Sequence, residues 1–269
     1  MRGVGVLMVA VGMLGPAARA AEARPDLAPI HRVETAEPAV AITFDACATR
    51  TQGYGFDRKV YEILRAGRVP ATLFVSGRWV ELHPAEMAEL ARDPLITFGD
   101  HSYDHPHMSR LPAARVGEEI DRTEAALARY GKKSVAFRPP FGDWSRRLVE
   151  VVHERGLPTV TWDVVSGDPS ARTTKAGMIR NVVGHARAGS IVIFHINGRG
   201  RRTAEALPEI LGALRTRGLR FVSVADLLAL APAPAPALAS RAPGSSPRPV
   251  SPRPLPVPNP SPARSEEIR

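Results

Sequence analysis

Short runs rich in β-branched and aromatic residues recur along the middle of this chain, and helix-like segments separate them. The runs are AVAITF (39–44), ATLFVS (71–76), LITFG (95–99), VAF (135–137), TVTW (159–162), SIVIF (190–194) and LRFVSV (219–224). The helical patterns cover 56–66, 84–92, 112–130, 145–155, 173–187 and 203–217. Repeated strand–helix units of this length predict an α/β fold, with a parallel sheet and its helices outside. About seven such units predict a barrel that is closed or nearly so. In that architecture the chemistry sits in the loops that follow the C-terminal ends of the strands.

Local signals support these segments. Gly67 is placed to end the first helix, and Pro84 suits the first turn of the second. Val116, Ile120, Ala125 and Leu127 give the long segment 112–130 a partly apolar face. Thr203 is a candidate cap for the last helix, with Leu207, Ile210, Leu211 and Leu214 on one side.

The ends of the chain read differently. Arg2, the apolar run Val4–Leu14 and Ala18-Arg19-Ala20 have the layout of an export signal, 1–20, too short to span a bilayer. A linker follows at 21–37, then a folded domain at 38–230. From 231 to 269 the composition turns to Pro, Ala, Ser and Arg, which predicts a disordered Pro/Ala-rich tail. The tail carries five arginines and two glutamates, part of the formal charge of +9. Mild basicity without interleaved aromatics gives no case for nucleic acid. A single cysteine, Cys47, leaves no internal disulfide for an exported chain. The expectation is a secreted or periplasmic monomer with no transmembrane segment in its mature form.

Chemistry-bearing residues fall just after the strands. Asp45 follows the first, His101 and His105 the third, Arg138 the fourth, Asp163 and Asp168 the fifth, and His195 the sixth. HSYDH (101–105) sets two histidines four apart, and one helical turn points both the same way, toward a divalent cation. Asp100 and Asp104 are either supporting acids or solvated ones. RPPFG (138–142) delivers an arginine whose planar fork can hold a carboxylate. His195 ends an apolar run and can donate a proton. Asp168 or Asp163 can orient it, and Asp163 can instead cap the strand. Together these groups predict metal-assisted hydrolysis of an amide or ester.

From about Ala39 to Leu228 the motifs resemble the polysaccharide deacetylase (NodB homology) family. TFDA (43–46) is similar to its TFDD motif, HSYDH to H-S/T-x-x-H, RPPFG to R-x-P-Y/F-G, WDVVSGDP (162–169) to its D-x-x-D-W region, and IFH (193–195) to L-x-H. The segment ATLFVSGRW (71–79) is also similar to the family's. The resemblance implies a distorted, incomplete (β/α) barrel that removes N-acetyl, sometimes O-acetyl, groups from an amino-sugar polysaccharide such as peptidoglycan or chitin-like oligomers. It implies Asp45 as general base, positioned by Arg138, and His195 as general acid, supported by Asp168. His101 and His105 would be metal ligands, for Zn2+ or a similar cation. The Phe141 N–H would help stabilise the oxyanion, and Ile193 would line the acetyl pocket.

Two positions depart from that pattern. Ala46 stands where the family has its third metal ligand, so Asp45 or Cys47 becomes the candidate, or the cation is held by two imidazoles and water. Cys47 reads better as a small buried packing residue. Pro169 replaces a tryptophan of the acetyl pocket. The alternatives are a weak or inactive polysaccharide-binding envelope protein, or a hydrolase of a non-sugar amide or ester. Aromatic residues make up 6% of the chain, with Trp79, Trp144 and Trp162 its tryptophans. Trp144 is the candidate for stacking on a sugar ring, or for the core. The basic loop NGRGRRT (197–203) meets either solvent or an anionic glycan.

Overall fold

Strand β1, Ala39–Ala46, has all eight residues buried, including its one carboxylate. It is the axis of the computed structural model, which describes residues 27–232. The expected signal peptide, most of the linker and almost all of the tail lie outside the described residues, as does the separate unit Ala233–Arg269.

Around β1 pair β2 (Ala71–Val75), β3 (Ile96–Asp100), β4 (Val164–Val165), β5 (Ile191–His195) and β6 (Arg220–Val222). Their order is β3-β2-β1-β5-β4, with β6 also beside β1. Every pairing is parallel. The sheet is open, as an incomplete barrel requires. Past β3 it continues through single bridges, Asp100–Phe137 and Phe137–Thr159.

Those bridges revise two of the expected strands. The runs 135–137 and 159–162 do not form ladders. Pro139 and Pro140 follow one and Pro158 precedes the other, and a proline has no N–H to give a neighbour. The pairing resumes later, at Val164–Val165. The run 219–224 ends early as a strand because the Ser223 hydroxyl accepts from the Asp226 N–H (3.1 Å) and starts a helix.

The helices lie close to their expected spans. They are α1 (Arg58–Ala66), α2 (Gly77–Leu82), α3 (Pro84–Leu90), α4 (Ala113–Ala128), α5 (Arg146–Glu154), α6 (Lys175–His185), α7 (Thr203–Thr216) and α8 (Val224–Leu228). Helix α2 had no apolar period to reveal it, but Ser76 caps it by accepting from Trp79 N–H (3.2 Å). Gly67 does close α1, in a right-handed conformation with φ −79°. Among the described residues no helix is long and apolar enough to cross a membrane.

Apolar packing binds these layers. Phe44 of β1 stacks on Phe194 of β5 with centroids 5.4 Å apart. Leu207, Ile210, Leu211 and Leu214 of α7 are buried in the same cluster. Burial of each such side chain contributes about 1.5–3 kcal/mol. A second cluster, under α4 and α5, joins Val116, Ile120, Phe137, Leu148 and Val152.

Gly189 ties the start of β1 to the segment before it. Its N–H donates to Ala39 O (2.8 Å), and its carbonyl accepts from Val33 N–H (2.9 Å). Its φ is +79°, and a Cβ there would lie 1.8 Å from Val33 O. Gly189→Ala is therefore expected to cost about 2 kcal/mol or more. Denaturant unfolding measures it, and an unchanged midpoint and slope would contradict this account.

Candidate active site

Parallel register brings the carboxylate and the last histidine together without any loop. Asp45 on β1 is paired with His195 on β5 and with Phe74 on β2. Both side chains emerge at the C-terminal edge of the sheet, where β3 delivers Asp100 and then His101.

Arg138 is fully buried there, with its guanidinium 3.8 Å from the Phe74 ring centroid. Its Nη1 donates to Asp45 Oδ1 (2.8 Å) and its Nη2 to Thr161 O (3.2 Å). Burial alone would raise the Asp45 pKa, but the neighbouring His101, which is charged only in acid, the Arg138 guanidinium and His195 more than reverse this, leaving it below the usual carboxylate value. Oδ1 is thus fixed, and Oδ2 lies 3.4 Å from His101 Nε2.

The backbone of the same arginine fixes the imidazole. His101 Nδ1 is 2.8 Å from Arg138 O. A carbonyl only accepts, so Nδ1 carries the proton and Nε2 presents a lone pair. Burial holds His101 below its ordinary pKa. Burial and the neighbouring His101 push His105 down to about 3. Both rings are neutral at neutral pH, with centroids 4.8 Å apart.

They do not share a helical turn, contrary to the spacing argument. Ser102 (φ +63°) and His105 (φ +57°) are left-handed, so the segment doubles back. Asp100 Oδ1 accepts from Ser102 N–H (2.7 Å), and Ser102 Oγ accepts from His105 N–H (3.1 Å). Burial raises the Asp100 pKa well above the usual range. Asp104 faces away, held by Arg50 (2.8 Å) and Arg78 (2.7 Å).

His195 is held by Asp168. Its Nδ1 is 2.9 Å from Asp168 Oδ1, and its backbone N–H donates to Oδ2 (2.7 Å). Ser166 Oγ (3.0 Å) and Thr203 Oγ1 (2.8 Å) also donate to this carboxylate. Thr203 therefore does not cap α7, where the N-cap residue Arg202 makes no capping side-chain bond. Asp163 caps the start of β5, accepting from Ser190 Oγ and Ile191 N–H (both 2.8 Å).

Ile193 is buried on β5, while Phe141 and Trp144 are exposed at the rim. Phe141 adopts φ +62°, lies edge-on to His105 (4.6 Å) and stacks on His107 (4.2 Å). The sequence argument missed Ser166, and it read Asn197 only as part of a basic loop. Asn197 is the last residue of IVIFHIN, and its buried amide donates to Cys47 O (2.9 Å) and Sγ (3.3 Å). Burial pushes the Cys47 thiol up to about 11, which favours its packing role.

A cation finds part of a site. The lone pair of His101 Nε2 faces the free oxygen of Asp45 at 3.4 Å, which suits positive charge beside them, and the neutral His105 ring lies 4.8 Å from that of His101. Ala46 is wholly buried and offers only a methyl group. Among the described residues no set of three imidazole, thiolate or carboxylate groups is arranged to hold a metal ion. The donors therefore fit a cation held by two imidazoles and completed by water, and they do not fit a three-ligand site.

Residues 32–160 match the polysaccharide deacetylase family. The chitooligosaccharide deacetylase of Azorhizobium caulinodans is 30% identical over 173 residues, 59% of this chain and 81% of that protein. The uncharacterized protein YlxY of Bacillus subtilis is 27% identical over 74% of this chain, which spans only 60% of its length. Other curated relatives are named peptidoglycan deacetylases. Among solved structures, a CE4 family pseudoenzyme from Bacillus anthracis superposes with a TM-score of 0.67 at 26% identity, over 75% of this chain and 69% of that one. A mutant of it, described as having restored enzymatic activity, gives the same TM-score at 27% identity, over 75% of this chain and 71% of that one. Fold, register and these matches agree, and the chain belongs to the polysaccharide deacetylase (NodB homology) family of hydrolases.

Proposed function

We propose that this protein removes acetyl groups, chiefly N-acetyl, from an amino-sugar polysaccharide such as peptidoglycan or a chitin-like oligomer. The observation that carries this reading is the pairing of two separately braced groups. Asp45 is held by buried Arg138, and His195, on the adjacent strand, is held by Asp168.

In this reading Asp45 Oδ2, the oxygen Arg138 leaves free, takes a proton from a water as that water attacks the acetyl carbonyl. The Phe141 N–H donates to the oxyanion that develops. His195 Nδ1–H stays on Asp168, and Nε2–H passes its proton to the departing amine. Ile193 closes on the acetyl methyl, and Trp144 lies under a sugar ring. His101 and His105 would hold a divalent cation such as Zn2+, whose chemistry when bound is polarisation of that carbonyl. The export signal read at 1–20 would place the protein outside the cytoplasmic membrane, where such polymers lie.

One observation favours a second reading, in which the chain holds glycan without hydrolysing it. Ala46 removes a ligand carboxylate, and the chain superposes on a pseudoenzyme. Acetate release from peptidoglycan and chitin oligomers, with Zn2+ supplied, separates the two. Release supports the deacetylase; glycan binding with no acetate at any Zn2+ loading supports the binder.

Asp45→Asn is expected to lower acetate release by ~10²–10⁴-fold while the fold survives, because an amide oxygen still accepts from Arg138. Full activity in that variant would remove the mechanism. Asp45→Ala strands a buried guanidinium and is expected to cost about 3–5 kcal/mol in unfolding free energy. Metal analysis after dialysis provides a further check. His101→Ala or His105→Ala should abolish Zn2+ uptake, whereas Ala46→Asp should raise Zn2+ affinity by about tenfold or more. Equal uptake by wild type and both histidine variants would refute the cation site.

A further inference from the structure

The loop after β5 carries three arginines, and they are not equivalent. Arg202 pairs with Glu205 (3.0 Å). Arg199 and Arg201 make no ion pair among the described residues. Both line an open cavity of about 560 Å3, together with Tyr54, Pro169 and Asn197. That cavity adjoins the proton-donating side of the candidate site, because Pro169 follows Asp168 and Asn197 lies two residues past His195.

The arginines are carried on an anchored backbone. Asn197 is tied to Cys47 O, and its Oδ1 accepts from Arg199 N–H (3.4 Å). Arg201 N–H donates to Asp168 O (3.2 Å). Gly200 between them is wedged in, since a Cβ there would meet Thr203 Oγ1 at 2.3 Å, His195 O at 2.6 Å and Asp168 Oδ2 at 2.7 Å. The Arg199 guanidinium sits 5.6 Å from the Tyr54 ring centroid, and its charge reaches both the Cys47 thiol and His105. An arginine half-withdrawn from water, with no carboxylate of its own and beside an aromatic ring, suits a planar anion brought in by a ligand.

Building on the deacetylase reading, we propose that Arg199 and Arg201 form a carboxylate subsite, so that the preferred glycan is acidic, with a carboxylate on or next to the acetylated amino sugar. The guanidinium fork of Arg199 grips that carboxylate, Arg201 adds charge at the rim, and Tyr54 covers a face of the sugar. A carboxylate on the acetylated ring itself, as a lactyl ether, and one on a neighbouring uronate present the same chemistry to the pair.

Calorimetry on the full chain at low salt tests this with three tetrasaccharides. One alternates N-acetylglucosamine with its lactyl-ether derivative, one alternates it with glucuronate, and one is the neutral N-acetylglucosamine tetramer. At least one acidic tetrasaccharide is expected to bind about tenfold or more tighter than the neutral one, and the tighter of the two identifies the source of the carboxylate. The preference should shrink as salt is raised. Arg199→Gln combined with Arg201→Gln should abolish it, with neutral binding and the unfolding midpoint unchanged. Equal affinities in the wild type, or a preference that survives the double variant, would overturn the subsite and leave the deacetylase reading standing. Failure of all three to bind would overturn both.

Discussion

A guanidinium with no contact to solvent needs an anion, and Arg138 finds it in Asp45. Leaving either charge alone in that interior would cost about 3–5 kcal/mol. The pair therefore ties the RPPFG turn to the end of β1. The same residue reaches His101 through its carbonyl. One arginine thus sets which oxygen of Asp45 is free and which nitrogen of His101 carries a lone pair. The two prolines after it stop the strand there and leave the arginine at the mouth of the sheet.

The opposite side of the cleft is braced by similar means. Asp168 receives His195 through both ring and backbone, with Ser166 and Thr203 completing its shell. Its own carbonyl then accepts from the loop bearing Arg201. His195 and the basic loop are built on a common support. The cation side is thinner. Two imidazoles are present and held neutral, but the strand ends in a methyl group where a carboxylate ligand would complete the set. Two fully braced groups, Asp45 on Arg138 and His195 on Asp168, beside a donor set that is short are the distinctive feature of this family member.

Much of this was legible in the sequence because period and position carried it. Alternating apolar runs and helical segments gave the parallel sheet, and Asp45, His101, Arg138 and His195 each fell within two residues of the end of a run. What the sequence hid was backbone conformation and hydroxyl partners. HSYDH reads as one helical turn by spacing, yet Ser102 and His105 take left-handed angles that the Asp100 side chain and the Ser102 hydroxyl help to hold. Thr203 looks like a helix cap, but its hydroxyl is drawn to Asp168, a charged acceptor that outcompetes a backbone amide. The runs at 135–137 and 159–162 have strand composition, but flanking prolines deny them a ladder. Arg199 looks solvated until the fold shows that Asn197 fastens its loop to Cys47.

The central claim is that Arg138 keeps Asp45 ionised and ready to take a proton inside a buried site. Infrared difference spectroscopy, comparing wild type with Asp45→Asn through an acid titration, reads that charge directly. The account predicts that the Asp45 carboxylate band persists down to about pH 5 and below, because its pKa lies beneath the ordinary value near 3.9. A protonated carboxyl band from Asp45 at neutral pH would contradict it.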